Sequence, residues 1–429
     1  MRIMTRTRPE RRPVGVRFAE STPSPVTQRA LIALVQVLVL AVWFSASAVV
    51  PALRAEWAIS QVAAVWLTAS VQLGFVTGAV TSALLNVPDR LNPTTLMSGC
   101  AALTGLTTGA FAVAASSLTV AVPLRFLTGV LLAGVYPVGM KLTASWSPPA
   151  VRGRSFGILI GALTLGSAMP HLIGGLADLS WRMVMLIAAG SALVGAAIAL
   201  VGVRAGPEMA GAPARPEPRY ALALFGDRRS RLVSLGYVGH MWELYALWTW
   251  LPAFLLAGTA SRGSPDTGIG VLAFVSIGIA GMVGCLVGGW AADRFGRPVT
   301  ATAALTVSGS CCLASPVFFG AAPGWVLLFG AVWGAAVIAD SGVFSTSLSE
   351  VADRRYVGTA LRAQTAIGFG LTVVSIDLVP VAADAVGWRW ALCILAPGPV
   401  IGALAMHTFG RITRDEPITA QHGERRGTR

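Results

Sequence analysis

The chain has 429 residues, of which 55% are hydrophobic and only 12% charged, with a mean hydropathy of +0.70. Soluble domains carry about a quarter charged residues, so too few polar side chains are present to cover a water-facing surface, and the spare apolar surface calls for lipid. The net charge of +13 would suit a nucleic-acid partner, but the excess lies in tails and short loops, where membrane proteins keep their cytoplasmic arginines, so nucleic acid is set aside.

Residues 1–29 form a polar, arginine-rich, proline-dotted segment and are predicted to be a disordered cytoplasmic tail. The first apolar run, about 30–53, is too long for the core of a signal peptide and predicts an uncleaved span. A helix needs about 20 apolar residues to cross a bilayer. Runs of that kind follow at about 61–85, 95–116, 118–143, 155–177 and 182–203, then at 232–257, 266–291, 299–319, 323–348, 358–380 and 388–410. The fold class is therefore all-α and integral to the membrane, with twelve spans in two six-helix halves, 30–203 and 232–410. Residues 204–231, with Pro207, Pro213, Pro216 and Pro218 and six arginines, read as a cytoplasmic linker between them, and 411–429 as a second tail.

Orientation follows from the basic residues. With a cytoplasmic N-terminus, 27 of the 32 lysines and arginines fall in cytoplasmic tails, loops and helix ends. Only Arg54, Arg182, Arg262 and Arg389 fall on the other side, and Arg125 lies inside a span. This bias predicts both termini in the cytoplasm and a plasma (inner) membrane location. The halves also repeat: Asp89-Arg90 corresponds to Asp293-Arg294, Gly153 to Gly358, and Trp181-Arg182 to Trp388-Arg389, at nearly one offset. Parallel halves of this kind are related by an axis along the membrane normal. The five cysteines (Cys100, Cys285, Cys311, Cys312 and Cys393) all lie in apolar runs without metal-ligand spacing, and read as small buried hydrophobes.

Gly288-Gly289-Trp290-Ala291-Ala292-Asp293-Arg294-Phe295-Gly296-Arg297 joins the eighth and ninth runs. It resembles the signature loop of the major facilitator superfamily, which is glycine-rich and ends in Asp-Arg-x-Gly-Arg. The glycines permit close helix approach, and the aspartate suits a helix N-terminus. The resemblance implies a conformational latch made of Gly289, Asp293, Arg294 and Arg297, with Asp89 and Arg90 as the first-half copy, which lacks the final Gly-Arg pair. Arg125-Phe126-Leu127-Thr128-Gly129 resembles the superfamily's Arg-x-x-x-Gly motif of the fourth span. Gly161, Gly166, Pro170, Gly174 and Gly175 loosely resemble a fifth-span antiporter motif.

Ionisable groups at membrane depth are functional candidates by default. Arg125 lies about 10 Å into its span, and its planar fork suits a carboxylate or phosphate; the alternative is a packing role. His240 and Glu243 share one face of the seventh span and form a candidate proton-exchanging pair, with Asp340 as a further coupling candidate. Trp242, Tyr245 and Gln364 are candidate substrate contacts beside Arg125. Asp340 and Arg362, at similar depth, are either a buried structural pair or functional groups in their own right. His171 reads as a packing residue, Lys141 as snorkelling and Asp377 as interfacial. Gln36, Ser45 and Gln72 either line a cavity or join helices.

No phosphate-binding glycine-rich Lys-Ser/Thr loop is present, so the energy must come from a gradient. The resulting expectation is a secondary transporter of a small organic solute, modestly favoured as an anion, working by alternating access and coupled to protons. No cofactor or metal is expected. The alternatives are a multidrug efflux antiporter of the same fold and, more remotely, a membrane-embedded enzyme or receptor.

Overall fold

A computed structural model describes residues 23–85, 87–148, 151–176, 179–209, 226–263, 268–352 and 357–415. Twelve membrane-length helical spans run through it, with no strand among the described residues. Eleven of these are long and apolar enough to cross a bilayer on those grounds alone. The seventh, Arg228–Ala260, is 33 residues long. Its His240, Glu243, Tyr245, Trp248 and Trp250 lower its hydropathy, but all five are buried, so it spans because neighbouring helices solvate its polar groups.

Helix starts are written locally. Ser60, Asn92, Ser180 and Asp227 cap their helices by accepting from the backbone N–H of Ala63, Thr94, Met183 and Ser230. Proline stands in the first turn at Pro25, Pro93 and Pro323, where its missing N–H has no partner to lose. The first span begins at Pro25, five residues before the expected Ala30. The expected tail and linker otherwise fall mostly on residues 1–22, 210–225 and 416–429, outside the described residues.

Three spans are broken at mid-depth. The first is Pro25–Leu40 plus Ser45–Trp57, joined by a turn over Ala41–Phe44. The fourth is Leu118–Leu132 plus Tyr136–Ser145. The tenth is Pro323–Ala339 plus Ser341–Val351, with Asp340 at the junction. Broken backbone at membrane depth is tolerated only where protein groups satisfy it. Here they do: Gln36 Nε2 donates to the Val135 carbonyl of the fourth-span break at 3.3 Å, and the first-span break is served by Arg125.

The two halves meet along two seams, the fifth span against the eighth and the second against the eleventh. At one end of the first seam Gly175 and Gly270 touch backbone to backbone; a Cβ on Gly270 would stand 2.8 Å from the Gly175 Cα. At the other end Gly342 of the tenth span faces Ile160 of the fifth.

Candidate functional site

The site grows from the first-span break. Arg125 is fully buried. Its Nε donates to the Leu67 carbonyl at 3.1 Å, Nη1 to the Val42 carbonyl at 3.2 Å and Ser45 Oγ at 3.3 Å, and Nη2 to the Trp43 carbonyl at 2.6 Å. The planar fork is thus spent on backbone exposed by the break, together with the second span. Gly129, one turn further on, packs on the Val71 carbonyl, so both ends of the Arg-x-x-x-Gly motif hold the fourth span against the second.

The pinned turn presents Trp43 and Phe44 to the other half. Trp43 stacks near Phe75 (4.9 Å between ring centroids), Tyr245 (5.8 Å) and Phe369 (5.9 Å). Phe44 meets Tyr245 and Trp248, and Phe75 meets Phe369 at 4.5 Å. Six rings from the first, second, seventh and eleventh spans therefore close over the mid-membrane seam. Pairs of this kind contribute about 0.5–1.5 kcal/mol each beyond burial. The same four spans carry buried polar atoms with no hydrogen-bond partner among the described residues: the indole N–H of Trp43 and of Trp248, both ends of the Gln72 amide, and Gln364 Nε2.

Of the residues expected to contact substrate, Tyr245 sits in the ring cluster and Gln364 is buried close to it in sequence, five residues before Phe369. Trp242 turns away: its Nε1 donates to the Ile394 carbonyl at 3.3 Å and its ring packs on Gly398 of the twelfth span.

The acids of the second half are arranged differently from the candidate His240–Glu243 and Asp340–Arg362 pairs. His240 Nδ1 lies 2.8 Å from Asp340 Oδ1, and Nε2 lies 2.9 Å from Ser341 Oγ. The imidazole thus bridges the break in the tenth span. Asp340 faces the seventh span from that junction, which explains why it finds His240 and not Arg362; its Oδ2 has no donor. Glu243 points between the ninth and tenth spans, where Ser308 Oγ (2.9 Å), Trp333 Nε1 (2.6 Å) and Cys312 Sγ (3.3 Å) all donate to it. No group of three or more metal-ligating side chains occurs among the described residues.

Residues 32–376 match the family model of the Major Facilitator Superfamily. The chain belongs to that superfamily. It is 26% identical over 302 residues to a niacin transporter of Acinetobacter baylyi, covering 62% of this chain and 66% of that one. It is 28% identical over 247 residues to a 3-(3-hydroxyphenyl)propionate transporter of Escherichia coli, covering 55% and 57%. The match thus spans less than two thirds of either curated relative. Two solved superfamily structures share the fold. One is a proton:xylose symporter bound to 6-bromo-6-deoxy-D-glucose (TM-score 0.69, 15% identity, 90% of this chain and 95% of that one). The other is a bacterial homologue of the human lysosomal transporter Spinster, inward-facing and unoccupied (TM-score 0.67, 17% identity, 91% and 98%). The chain is an integral membrane protein of a transporter superfamily, and its relatives carry small solutes.

The superfamily's signature loop forms a second site, on the face of the bundle bearing the described chain ends. A cleft of about 370 Å³ is lined by Asp293, Gly296, Arg297, Ser347, Glu350 and Thr413, among others. Arg297 pairs with Glu350 of the tenth span, a partner that sequence reasoning did not name. Gly288 packs on the Ala339 carbonyl, whereas Gly289 faces open space, so Gly288, together with Gly284 on the Ala335 carbonyl one turn earlier, brings the eighth and tenth spans together. Asp293 and Arg294 are exposed, as is Arg90; the Asp89 side chain lies outside the described residues. Gly296 has φ of +89°, a backbone state that suits glycine and explains its place in the motif.

Proposed function

We propose that this chain is a proton-coupled secondary transporter that carries a small aromatic carboxylic acid across the plasma membrane by alternating access. The observation that carries the reading is the six-ring cluster shared by both halves at mid-depth, with unpartnered indole groups in it and unpartnered amides on the same spans. An apolar, aromatic-lined site with a few convergent polar groups is the usual form of a small-molecule site, and a seam between repeats at the midplane is where such carriers bind. A planar ring inserted among Trp43, Phe75, Tyr245 and Phe369 would replace ring-on-ring contacts by equivalent ones. Niacin and 3-(3-hydroxyphenyl)propionate, the solutes in the names of the two relatives, both combine an aromatic ring with a carboxyl group.

The coupling set is His240, Asp340 and Glu243. Within it the exchange step belongs to His240–Asp340, because Glu243 already has three donors while Asp340 has an oxygen without one. Arg297, Glu350 and Asp293, with Arg294 and Gly289 of the same loop, form the latch that favours one conformation, and Asp89-Arg90 is its first-half counterpart in sequence. Both termini and the 204–231 linker lie in the cytoplasm, on the 27-of-32 basic bias.

Purified protein in liposomes tests this. Labelled niacin or 3-(3-hydroxyphenyl)propionate should accumulate in response to a pH gradient and exchange without one. Flux of hydrophobic cations, with none of either acid, would instead support a multidrug carrier.

A further inference from the structure

Gln72 lies about 17 Å along the second span from Gln61, near the middle of the bilayer. It is fully buried, yet neither its Oε1 nor its Nε2 has a hydrogen-bond partner. A buried amide left unpaired at both ends is costly, by about 1–3 kcal/mol for each group, and such groups are rare in native folds. Its surroundings are those of the central site. Thr68, one turn earlier, pairs with Ser47 of the first span at 2.6 Å, and Phe75, one turn later, packs its ring at a tilt against Trp43 and Phe369. Gln72 stands between them on the same stripe, and the nearby Trp43 indole N–H is also unpartnered.

The charges around this point are absent or spent. In the sequence, residues 30–203 carry only three acids, Glu56, Asp89 and Asp178, and none falls in the middle of an apolar run. Arg125 is committed to four acceptors. The eleventh span, packed against the second, carries one cation in this region, Arg362, and it stands seven residues, about 10 Å of helix, before Phe369. A carboxylate brought to Gln72 would be desolvated without a cation beside it, which is far more costly than burying a neutral group. A protonated carboxylic acid has the opposite fit. Its O–H can donate to Gln72 Oε1 while its C=O accepts from Nε2, a paired arrangement that satisfies both ends of both groups.

Building on the aromatic-acid reading above, we infer that Gln72 is the polar anchor of the central site and reads the substrate's carboxyl group in its protonated, uncharged form. The substrate then brings its own proton, separate from any that cycles on His240–Asp340. Because the pair uses one N–H and the carbonyl oxygen of Gln72, a primary carboxamide on the same skeleton presents the same pattern and binds as well. Gln72 thereby sets specificity for a neutral donor–acceptor head group over a fixed anion.

The test is direct binding to the purified full-length protein, by calorimetry or tryptophan quenching, with 3-phenylpropionic acid and 3-phenylpropanamide as probes. The amide should bind equally well from mildly acidic to mildly alkaline pH. The acid's apparent affinity should fall about tenfold per pH unit above its own pKa. Gln72→Leu should weaken both probes at least tenfold without lowering the thermal midpoint, since it strands no partner. Acid binding that is independent of pH, with no binding of the amide, would overturn the inference and point to a cation as the reader. Unchanged affinity of both probes in Gln72→Leu would overturn it as well. If neither probe binds the wild-type protein at any pH, the aromatic-acid reading itself falls, and this inference with it.

Discussion

Arg125 donates to the backbone carbonyl of Trp43 at 2.6 Å, and the Trp43 ring lies 5.9 Å from Phe369 of the opposite half. A cation buried in one half therefore fixes the ring that joins it to the other. Arg125→Lys keeps the charge but loses the planar fork, leaving one or more of the Leu67, Val42 and Trp43 carbonyls unserved. The expected cost is about 1–3 kcal/mol of stability, read as a lower thermal midpoint, together with weaker substrate binding. Because Arg125 acts through Trp43, the binding losses in Arg125→Lys and Trp43→Ala should be strongly non-additive in a double-mutant cycle. Additive losses would show that Arg125 contacts substrate independently.

His240 and Asp340 should carry the response to pH. Asp340→Asn removes the ionisable partner of His240 while preserving its shape. Solute exchange should continue in proteoliposomes, but uphill accumulation driven by a pH gradient should be lost. Persistence of accumulation would move the coupling role to Glu243.

Glu243→Gln should behave differently. Its amide N–H₂ would face one of three donors (Ser308, Trp333 or Cys312) that now point at carboxylate oxygens. The expected result is a stability loss of about 1–3 kcal/mol, seen as earlier unfolding in detergent, with gradient-driven uptake reduced in proportion to folded protein. A fully stable variant that has lost coupling would restore Glu243 as the proton carrier.

Arg297 and Glu350 are both partly exposed, so their ion pair contributes little to stability, about 0–1 kcal/mol. Glu350→Gln and Asp293→Asn should leave the thermal midpoint within a degree or two and leave substrate affinity unchanged while altering the transport rate severalfold. The exchange Arg297→Glu with Glu350→Arg should recover much of the rate. A collapse of affinity in the single variants would place this cleft in the substrate site instead.

The helical architecture was legible because span length is a one-dimensional signal. The seventh span is the least apolar of the twelve, because its aromatic and ionisable residues are penalised by hydropathy, yet its run at 232–257 was still long enough to be read. The breaks in the first, fourth and tenth spans were not legible, since an apolar run reports length and not continuity. Partner choice was hidden for a related reason. Whether Asp340 meets His240 or Arg362, and whether Trp242 faces the seam or the twelfth span, depends on helix rotation, and a turn of one residue swings a side chain by about 100°. Gly288 and Gly289 are adjacent for the same reason yet face a backbone and open space. The four acceptors of Arg125 are three backbone carbonyls and a serine hydroxyl, which no side-chain pattern could announce.

The short helix Ser341–Val351 has the His240–Asp340 pair at one end and the Arg297–Glu350 pair near the other. It is a rigid rod of about 15 Å between those points, hinged at Asp340. A swing of roughly 10° about that hinge would carry Glu350 through about 2.6 Å by the same geometry, enough to part it from Arg297. Two sites that share no atom would then be mechanically geared: a small displacement at the imidazole would be magnified, one helix length away, into making or breaking the Arg297–Glu350 contact.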